Sequence, residues 1–380
     1  MDCEASKRIK LLLIAPLPPP VGGIATWTSY FLNYAISRPE VEVVHLDSAQ
    51  RFRPVSPNSF AQRLLSGLAV WIPLAFRLLK CILQGRPHLV HCQSSGGMGF
   101  FRDLMVIFFA RLFRVPVVVH FHFGRCPELV RQRNWEYRML RRVASTADGV
   151  IVLDRSSMKA LQENGFTNMY LVPNPLAPEL EKMAMAYAVD APLRKKNRVL
   201  FVGHVIAEKG VHDLVRACAD LPEVEELHLI GPVEPIFKAE LMALSRSHDS
   251  GRWLMFAGVK EHDEVLKEML TATLMVLPSL TEAFPIVLLE AMAMGCPVVA
   301  TTVAAMPDML NADGKEKAGI CVPPGNRDAL RDAIREIIKN PDIAAQLGIC
   351  GRRKVVADYT IDRIFNQYLA VWNQVAEVNK

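Results

Sequence analysis

Two carboxylates flank the start of a predicted helix in the second half of the sequence. Glu282 stands in the loop that follows a buried strand, and Glu290 lies inside the helix that opens near Pro285. The free backbone amides around Phe284 and Ile286 mark the positive end of the helix dipole. This end of a helix suits an anionic diphosphate or a sugar hydroxyl. The pair therefore predicts a binding site for a phosphorylated or sugar-containing ligand.

A lysine occupies a second strand-to-helix turn. A buried strand ends at Gly203, and the next helix is predicted to begin near Lys209. An ammonium group beside helix amides is well placed to neutralise phosphate oxygens. His204 directly follows the strand and is a further candidate for the same ligand.

Two candidates lie in the first half of the sequence. Gly22 and Gly23 follow the first strand and open a helix, where the lack of a Cβ lets the backbone approach a ligand closely. His122 lies just past a buried strand and is either a site residue or a structural histidine. The glycine loop has neither the GxGxxG pattern nor a phosphate-binding P-loop lysine, which argues against an oxidoreductase of the dinucleotide-binding class.

The stretch EAFPIVLLEAMAMGCPVVA, residues 282–300, resembles the signature of retaining GT-B glycosyltransferases of family 4. The resemblance is strong over 199–325 and implies a separate role for each candidate. Glu282 would contact the donor sugar, and Glu290 would bind the ribose hydroxyls of the nucleotide. Lys209 would clamp the diphosphate and stabilise the leaving group.

The same resemblance covers the remaining candidates and shows two departures. The loop with Gly22 and Gly23 would approach the donor phosphates, and His122 would reach the donor sugar. His204 stands where the family usually has an arginine, so a neutral imidazole would compensate phosphate charge less well. Ala283 stands where the family usually has a glycine.

These residues need elements that hold them, and the sequence predicts an α/β fold. Most of the predicted strands lack apolar/polar alternation, as expected for parallel strands buried on both faces. The predicted strands are 9–15, 41–46, 88–92, 115–121, 148–153, 168–173, 198–203, 226–231, 254–258, 273–279, 297–301 and 319–323.

The strands form two groups, which predict two Rossmann-like, doubly wound domains that face an interdomain cleft. The resemblance implies that this arrangement is the GT-B fold. The proline-containing segment 174–197 is interpreted as the linker between them. The expected domains are 1–185 and 186–360, followed by a helix over 361–380. The resemblance implies that the first lies on the acceptor side, that the second binds the nucleotide sugar, and that the helix crosses back to the first domain.

Composition supports a globular enzyme. Half of the residues are hydrophobic (51%) and only 22% are charged, which excludes a disordered chain. The eight cysteines lack any CxxC pair and suit free thiols in a reducing cytosol. No stretch reaches the roughly 20 apolar residues that a membrane-spanning helix needs.

Charge is unevenly distributed between the two halves. Residues 1–190 hold 22 Lys/Arg against 14 Asp/Glu, whereas residues 191–380 hold 22 against 25. Two apolar segments of the first half, Arg63–Lys80 and Phe100–Arg114, also carry basic residues. They are interpreted either as helices at an anionic membrane surface or as ordinary core helices with solvated arginines. A cytoplasmic protein, peripheral on the inner face of the plasma membrane, is therefore expected.

The expected activity is retaining transfer of a hexose-type sugar from a UDP- or GDP-sugar to an acceptor in cell-surface polysaccharide or glycolipid synthesis. A polyprenyl-diphosphate-linked acceptor is expected, and no nucleic-acid partner. The sequence contains no D-x-D, so no metal and no cofactor are predicted, with Lys209 and helix amides taking the diphosphate charge. The alternatives are a nucleotide-sugar 2-epimerase of GT-B type and a non-catalytic GT-B subunit.

Overall fold

The computed structural model describes residues 8–19, 22–49, 60–186, 194–246 and 252–378, with the backbone alone for 60–70. The chain divides into two compact units. The first comprises Met1–Asn174 together with Asp362–Lys380, and the second comprises Pro175–Ile361. Each unit is built around one six-stranded sheet.

All twelve predicted strands are present, each within two residues of its predicted ends. The paired strands run parallel in both sheets, which confirms the α/β fold class. The strands of the first unit are β1 (Ile9–Ala15), β2 (Val41–Asp47), β3 (Leu89–Ser94), β4 (Val117–Phe121), β5 (Gly149–Val152) and β6 (Met169–Leu171). Those of the second are β7 (Arg198–Val202), β8 (Glu226–Ile230), β9 (Leu254–Gly258), β10 (Leu274–Leu277), β11 (Val298–Thr301) and β12 (Ile320–Val322).

Helices connect the strands, because parallel neighbours can be joined only by a crossover connection. The helices up to residue 186 are α1 (Gly23–Ala35), α2 (Phe60–Gly85), α3 (Gly99–Leu112), α4 (Cys126–Gln132), α5 (Trp135–Thr146), α6 (Arg155–Glu163) and α7 (Pro178–Ala186). The later helices are α8 (Val211–Ala219), α9 (Pro235–Ser245), α10 (His262–Thr271), α11 (Ile286–Ala293), α12 (Met306–Met309), α13 (Arg327–Lys339), α14 (Pro341–Asp358) and α15 (Ile361–Val378). A single 3-10 turn, Ala207–Lys209, precedes α8.

The first sheet has the strand order β2-β1-β3-β4-β5-β6 and is covered on both faces. Along β1, Leu12 and Ile14 enter a core shared with α2, α3 and α5, while Leu11 and Leu13 enter a core shared with α1 and α15. Because successive side chains of a strand point to opposite faces, this explains the continuous apolar run of β1.

The second sheet has the order β12-β11-β10-β7-β8-β9. Its unit includes α7, which packs against α11 and α14. The expected domain boundary lies between residues 185 and 186, whereas the compact units divide at Asn174/Pro175. The two divisions differ over 175–185 because α7, read from its prolines as part of a linker, finds its packing partners in the second unit. Residues 187–193 of the predicted linker lie outside the described residues.

No helix in the described parts of the chain combines the length and apolarity that crossing a bilayer requires.

Candidate functional site

Two loops of the second unit meet at the carboxyl edge of its sheet. β7 and β10 are adjacent and parallel, so the turn after β7 and the loop after β10 emerge side by side. The Leu280 amide donates to the Glu208 carbonyl at 2.9 Å and ties the two loops together. Gly210 has φ +67°, and a Cβ there would lie 2.0 Å from the Pro278 carbonyl oxygen. The close approach of the two predicted motifs therefore depends on a glycine at this position.

This approach brings Lys209 and Glu282 into an ion pair. The Lys209 Nζ lies 2.5 Å from the Glu282 Oε1. The Ser279 hydroxyl donates to the same oxygen at 2.9 Å. The Lys209 side chain is 26% exposed and that of Glu282 is 11% exposed, so both groups are partly desolvated. Two predicted site residues that are 73 positions apart in the sequence are thus in direct contact.

Glu290 has a partner that the sequence analysis missed. The Nε2 of His262, the first residue of α10, lies 2.9 Å from the Glu290 Oε1, and α10 packs beside α11. This hydrogen bond raises the pKa of His262, while partial burial opposes the rise. The charged imidazolium is therefore favoured as donor to the carboxylate. His262 could have been predicted from the position of α10 between β9 and β10. A helix that follows a parallel strand begins at the carboxyl edge of the sheet, where the pocket lies.

The two ion pairs lie in one pocket of about 380 Å³. His204 lines it and is exposed, and Lys260 also lines it, with its Nζ 2.6 Å from the Glu268 Oε1. The full set of lining residues is Val202, Gly203, His204, Lys209, Lys260, His262, Val265, Leu277, Glu282, Pro285, Val287 and Glu290. The pocket combines several ammonium and imidazole groups with two carboxylates, which suits a ligand carrying both anionic and hydroxyl groups.

Two predicted donor-binding residues do not line this pocket with their side chains. Phe284 is 7% exposed and packs edge-on against Tyr359, with ring centroids 5.8 Å apart. Ile286 is the first residue of α11, and its neighbours Pro285 and Val287 are the lining residues. Any contact of Phe284 and Ile286 with a ligand in this pocket is therefore expected from their backbone groups at the start of α11.

Gly22 and Gly23 lie in the first unit, at the start of α1. Gly22 is the extended N-cap residue, and Gly23 opens the helix. A Cβ at either position would meet no protein atom within 4 Å. Packing of the described residues therefore does not explain the two glycines, and the predicted approach of a ligand stays a prediction.

His122 belongs to a buried aromatic cluster of the first unit. Its ring lies 3.9 Å from that of His120 and 5.8 Å from that of Trp27. Burial, together with the nearby His91, lowers the pKa of His122 to about 3. Burial likewise lowers the pKa of His91 to about 3 and that of His120 well below its usual value. All three imidazoles are thus neutral at neutral pH.

One proton in this cluster can be assigned. The Trp372 Nε1–H of α15 donates to the His91 Nδ1 at 3.1 Å. Because Nδ1 is the acceptor, the neutral ring of His91 carries its proton on Nε2.

Within the described ranges, no group of three or more His, Cys, Asp or Glu side chains is arranged to hold a metal ion. The expected absence of a metal remains a prediction.

Two family models match the chain on either side of residue 180. The model for a glycosyl transferase 4-like domain matches residues 20–175, and the model for glycosyl transferases group 1 matches residues 189–354. The chain belongs to the glycosyl transferases group 1. The predicted motifs around Lys209, Glu282 and Glu290 all fall in the second match.

Named relatives of this group 1 glycosyltransferase are transferases. It is 22% identical to sulfoquinovosyl transferase of Arabidopsis thaliana, over 93% of this chain and 72% of the relative. Sucrose-phosphate synthase from Thermosynechococcus elongatus has a similar fold, with a TM-score of 0.75, 21% identity and coverage of 98% and 100% of the two chains. HepE of Anabaena, solved in complex with UDP, gives a TM-score of 0.70 at 17% identity and covers 96% of this chain and 100% of its own. The GT-B fold is thereby confirmed.

Proposed function

We propose that this glycosyltransferase moves a hexose-type sugar from a UDP- or GDP-linked donor to an acceptor, with retention of the anomeric configuration. The pocket that holds the Lys209–Glu282 pair beside Glu290 is the observation that carries the proposal. The UDP bound to the structurally similar HepE supports a nucleotide-linked donor. Retention rests on the spacing of the two glutamates, which resembles that of retaining enzymes.

Each residue has a distinct part in this reaction. The Lys209 Nζ, which is paired with Glu282, would exchange this carboxylate for a phosphate oxygen of the donor. Charge developing on the leaving diphosphate would then be stabilised by an ammonium group in a partly desolvated site. Glu282 would be freed to contact the donor sugar, and Glu290 would accept hydrogen bonds from the ribose hydroxyls.

The pocket also supplies replacements for the charge that an arginine at position 204 would bring. Lys260 and His262 line the same pocket as His204 and Lys209. The hydrogen bond from His262 to Glu290 favours the charged imidazolium. We therefore expect these cations to share the diphosphate charge without a metal, so EDTA should leave turnover unchanged.

Product stereochemistry tests the proposal. The protein would first be screened with UDP-, GDP- and ADP-sugars by thermal shift, because a ligand at 100 times its Kd adds about 2.7 kcal/mol of stability. NMR of the product made from the selected donor should then show a linkage of unchanged anomeric configuration. An inverted linkage would refute retention. Free UDP without any acceptor product would favour a 2-epimerase.

The proposed acceptor is a molecule anchored in a membrane. We expect a lipid-linked acceptor, with a polyprenyl diphosphate as the carrier, in surface polysaccharide or glycolipid synthesis at the cytoplasmic face of the membrane. The excess of 22 basic over 14 acidic residues in 1–190 supports a partner that is anionic. Transfer to extracted polyprenyl-diphosphate-linked sugar, compared with the same sugar free in solution, distinguishes the two kinds of acceptor.

A further inference from the structure

Helix α2 carries a stripe of large apolar side chains that its own unit leaves uncovered. Ile72, Phe76 and Leu83 are 53%, 70% and 59% exposed. Their spacing of four and seven residues places them on one side of the helix. The opposite side is buried in the core through Leu74 and Leu78. The stripe is thus additional to the face that packs on the sheet.

Helix α3 repeats this arrangement beside α2. Phe101, Phe108 and Leu112 are 40%, 65% and 64% exposed, at a spacing of seven and four residues. The two helices pack against each other, and the ring of Trp71 in α2 stacks on that of Phe101 at 6.4 Å. Both helices bury their other side in the same core. The two stripes therefore form one surface, which we term the outer face of α2 and α3.

The charge on this surface is of one sign. Its exposed cations are Arg77, Lys80, Arg111 and Arg114, and the neighbouring α5 adds Arg138, Arg141 and Arg142. Over residues 71–85, 99–112 and 135–146 the only acidic residues are Asp103 and Glu136, and both are buried. Asp103 is bonded to Ser94 and Arg102, and Glu136 to Arg125. None of the residues in these three ranges therefore contributes an exposed carboxylate.

This combination selects one kind of partner. Contiguous exposed apolar surface rimmed by polar groups marks an interaction site. Phosphate groups of a nucleic acid would satisfy the arginines, but would leave the side chains of Ile72, Leu83 and Leu112 in water. A lipid headgroup region accepts both, since apolar side chains enter the acyl boundary while cations stay at the anionic surface.

We propose that the outer face of α2 and α3 docks this protein on an anionic lipid bilayer, with Phe76 and Phe108 inserted at the acyl boundary. The proposal rests on the membrane side of the proposed function and assigns it to named residues. It is independent of sugar transfer, because vesicle binding is measured with neither donor nor acceptor.

The experiment is sedimentation with vesicles of phosphatidylglycerol and phosphatidylcholine, compared with phosphatidylcholine alone, at low and high salt. Wild-type protein should sediment with the anionic vesicles and be released in part by salt. The double variant Phe76→Ser, Phe108→Ser should lose most of its binding at either salt concentration. The double variant Arg77→Glu, Lys80→Glu should bind at least about 30-fold more weakly at low salt, because the loss of each cation alone removes about fivefold and the added carboxylates are repelled by the anionic surface.

Control variants make the same kinds of change, apolar to serine and cation to glutamate, at exposed positions elsewhere. Ile36 and Ile236 are 86% and 76% exposed, and Ile36→Ser, Ile236→Ser should bind as the wild type does. Lys195 and Lys196 are exposed, and reversing both to Glu should also leave vesicle binding unchanged. Thermal unfolding of each variant, and its stabilisation by the selected nucleotide sugar, should match those of the wild type, which separates docking from folding and from donor binding.

Three results would overturn the proposal. The first is wild-type protein that stays in the supernatant with anionic vesicles at low salt. The second is vesicle binding by Phe76→Ser, Phe108→Ser equal to that of the wild type. The third is a protein whose size by light scattering falls from dimer to monomer in that variant, since the face would then be covered by a second copy of the chain.

Discussion

At the residue scale, each of the two carboxylates in the pocket has a cationic partner. Glu282 is held by Lys209 and Glu290 by His262. A buried carboxylate without a partner is costly, so these pairs stabilise both carboxylates within the pocket. In the proposed reaction, a nucleotide sugar would exchange partners with these pairs and leave no bare charge exposed, which would keep the reorganisation small.

The first prediction concerns Lys209. Lys209→Ala removes the cation expected at the diphosphate, and we expect a loss of roughly 1.5–3 kcal/mol in donor binding or leaving-group stabilisation. Steady-state kinetics with the selected donor measure the loss in kcat/KM. Lys159, whose side chain is 77% exposed in α6, provides the control, and Lys159→Ala should leave the kinetics unchanged. Wild-type turnover by Lys209→Ala at saturating donor would contradict the assignment.

The second prediction concerns pH and His91. Burial lowers the pKa of folded His91 to about 3, whereas an unfolded histidine titrates near 6.5. The unfolded chain therefore binds more protons in acid, so this group removes stability as the pH falls below about 6.5. At pH 5, which is about 1.5 units below 6.5, the free energy of unfolding should be lower by about 2 kcal/mol.

His91→Asn isolates this effect, because the amide oxygen can still accept from the Trp372 Nε1. Chemical unfolding of both proteins from pH 7.5 to 5 should show the wild-type stability falling more steeply than that of the variant. Parallel curves would show that His91 does not titrate in this way.

At the element scale, the third prediction concerns the glycine that joins two loops. Gly210→Ala should cost roughly 1–2 kcal/mol for the left-handed backbone and roughly 1–3 kcal/mol more for overlap with Pro278. Gly258 has the same φ of +67° but open space around it, so Gly258→Ala should show only the first cost. Urea unfolding and the donor thermal shift compare the two variants. Equal destabilisation would mean that the contact with Pro278 relaxes freely.

The strands could be predicted from the sequence because each is a short apolar run bounded by turn residues. In β10 and β11, for example, every residue is buried, which is the pattern that a parallel sheet covered on both faces imposes. The helix after Glu282 was equally predictable, since Pro285 can stand at a helix start.

Helix α7 was not predictable in the same way. Its sequence contains Pro178 and follows two further prolines, so it is interpreted as a linker. Whether such a helix belongs to one unit or the other is decided by tertiary packing, here against α11 and α14. Local pattern carries no information on that choice.

Some residues of the candidate site could likewise be predicted from local sequence motifs, whereas others depend on tertiary packing. Lys209, Glu282 and Glu290 lie in contiguous motifs, and the resemblance to glycosyltransferases of family 4 implied that all three contact one donor. His262 and Lys260 belong to no recognised spacing, and only the packing of α10 beside α11 brings His262 to Glu290. The proton-bearing nitrogen of His91 likewise depends on a tryptophan 281 residues away in the chain.

At the scale of the whole molecule, the two termini of the described chain share one core. Trp372 is fully buried among residues of β1, α1 and β3, together with Phe365 and Tyr368 of α15. The fourth prediction is that Trp372→Ala destabilises the first unit by roughly 3–5 kcal/mol. Trp135, which is 51% exposed, is the control, and Trp135→Ala should change stability by no more than about 0.5 kcal/mol.

Hydrogen exchange measures where the Trp372→Ala effect lies. Amides of β1 and β3 should lose protection, while those of β7 and β10 should keep theirs, because the second unit has a core of its own. Equal loss of protection in both sheets would contradict the division into two units.

The course of the chain through α15 also sets an order of events during synthesis. The second unit is one continuous stretch, Pro175–Ile361, and all of it leaves the ribosome before Asp362 does. The first unit must wait for Phe365, Tyr368 and Trp372 to complete its core. Domains usually fold on the ribosome from the amino terminus onward. Because its core is completed by the last helix of the chain, we expect the first unit of this glycosyltransferase to finish folding after the second, against that usual order.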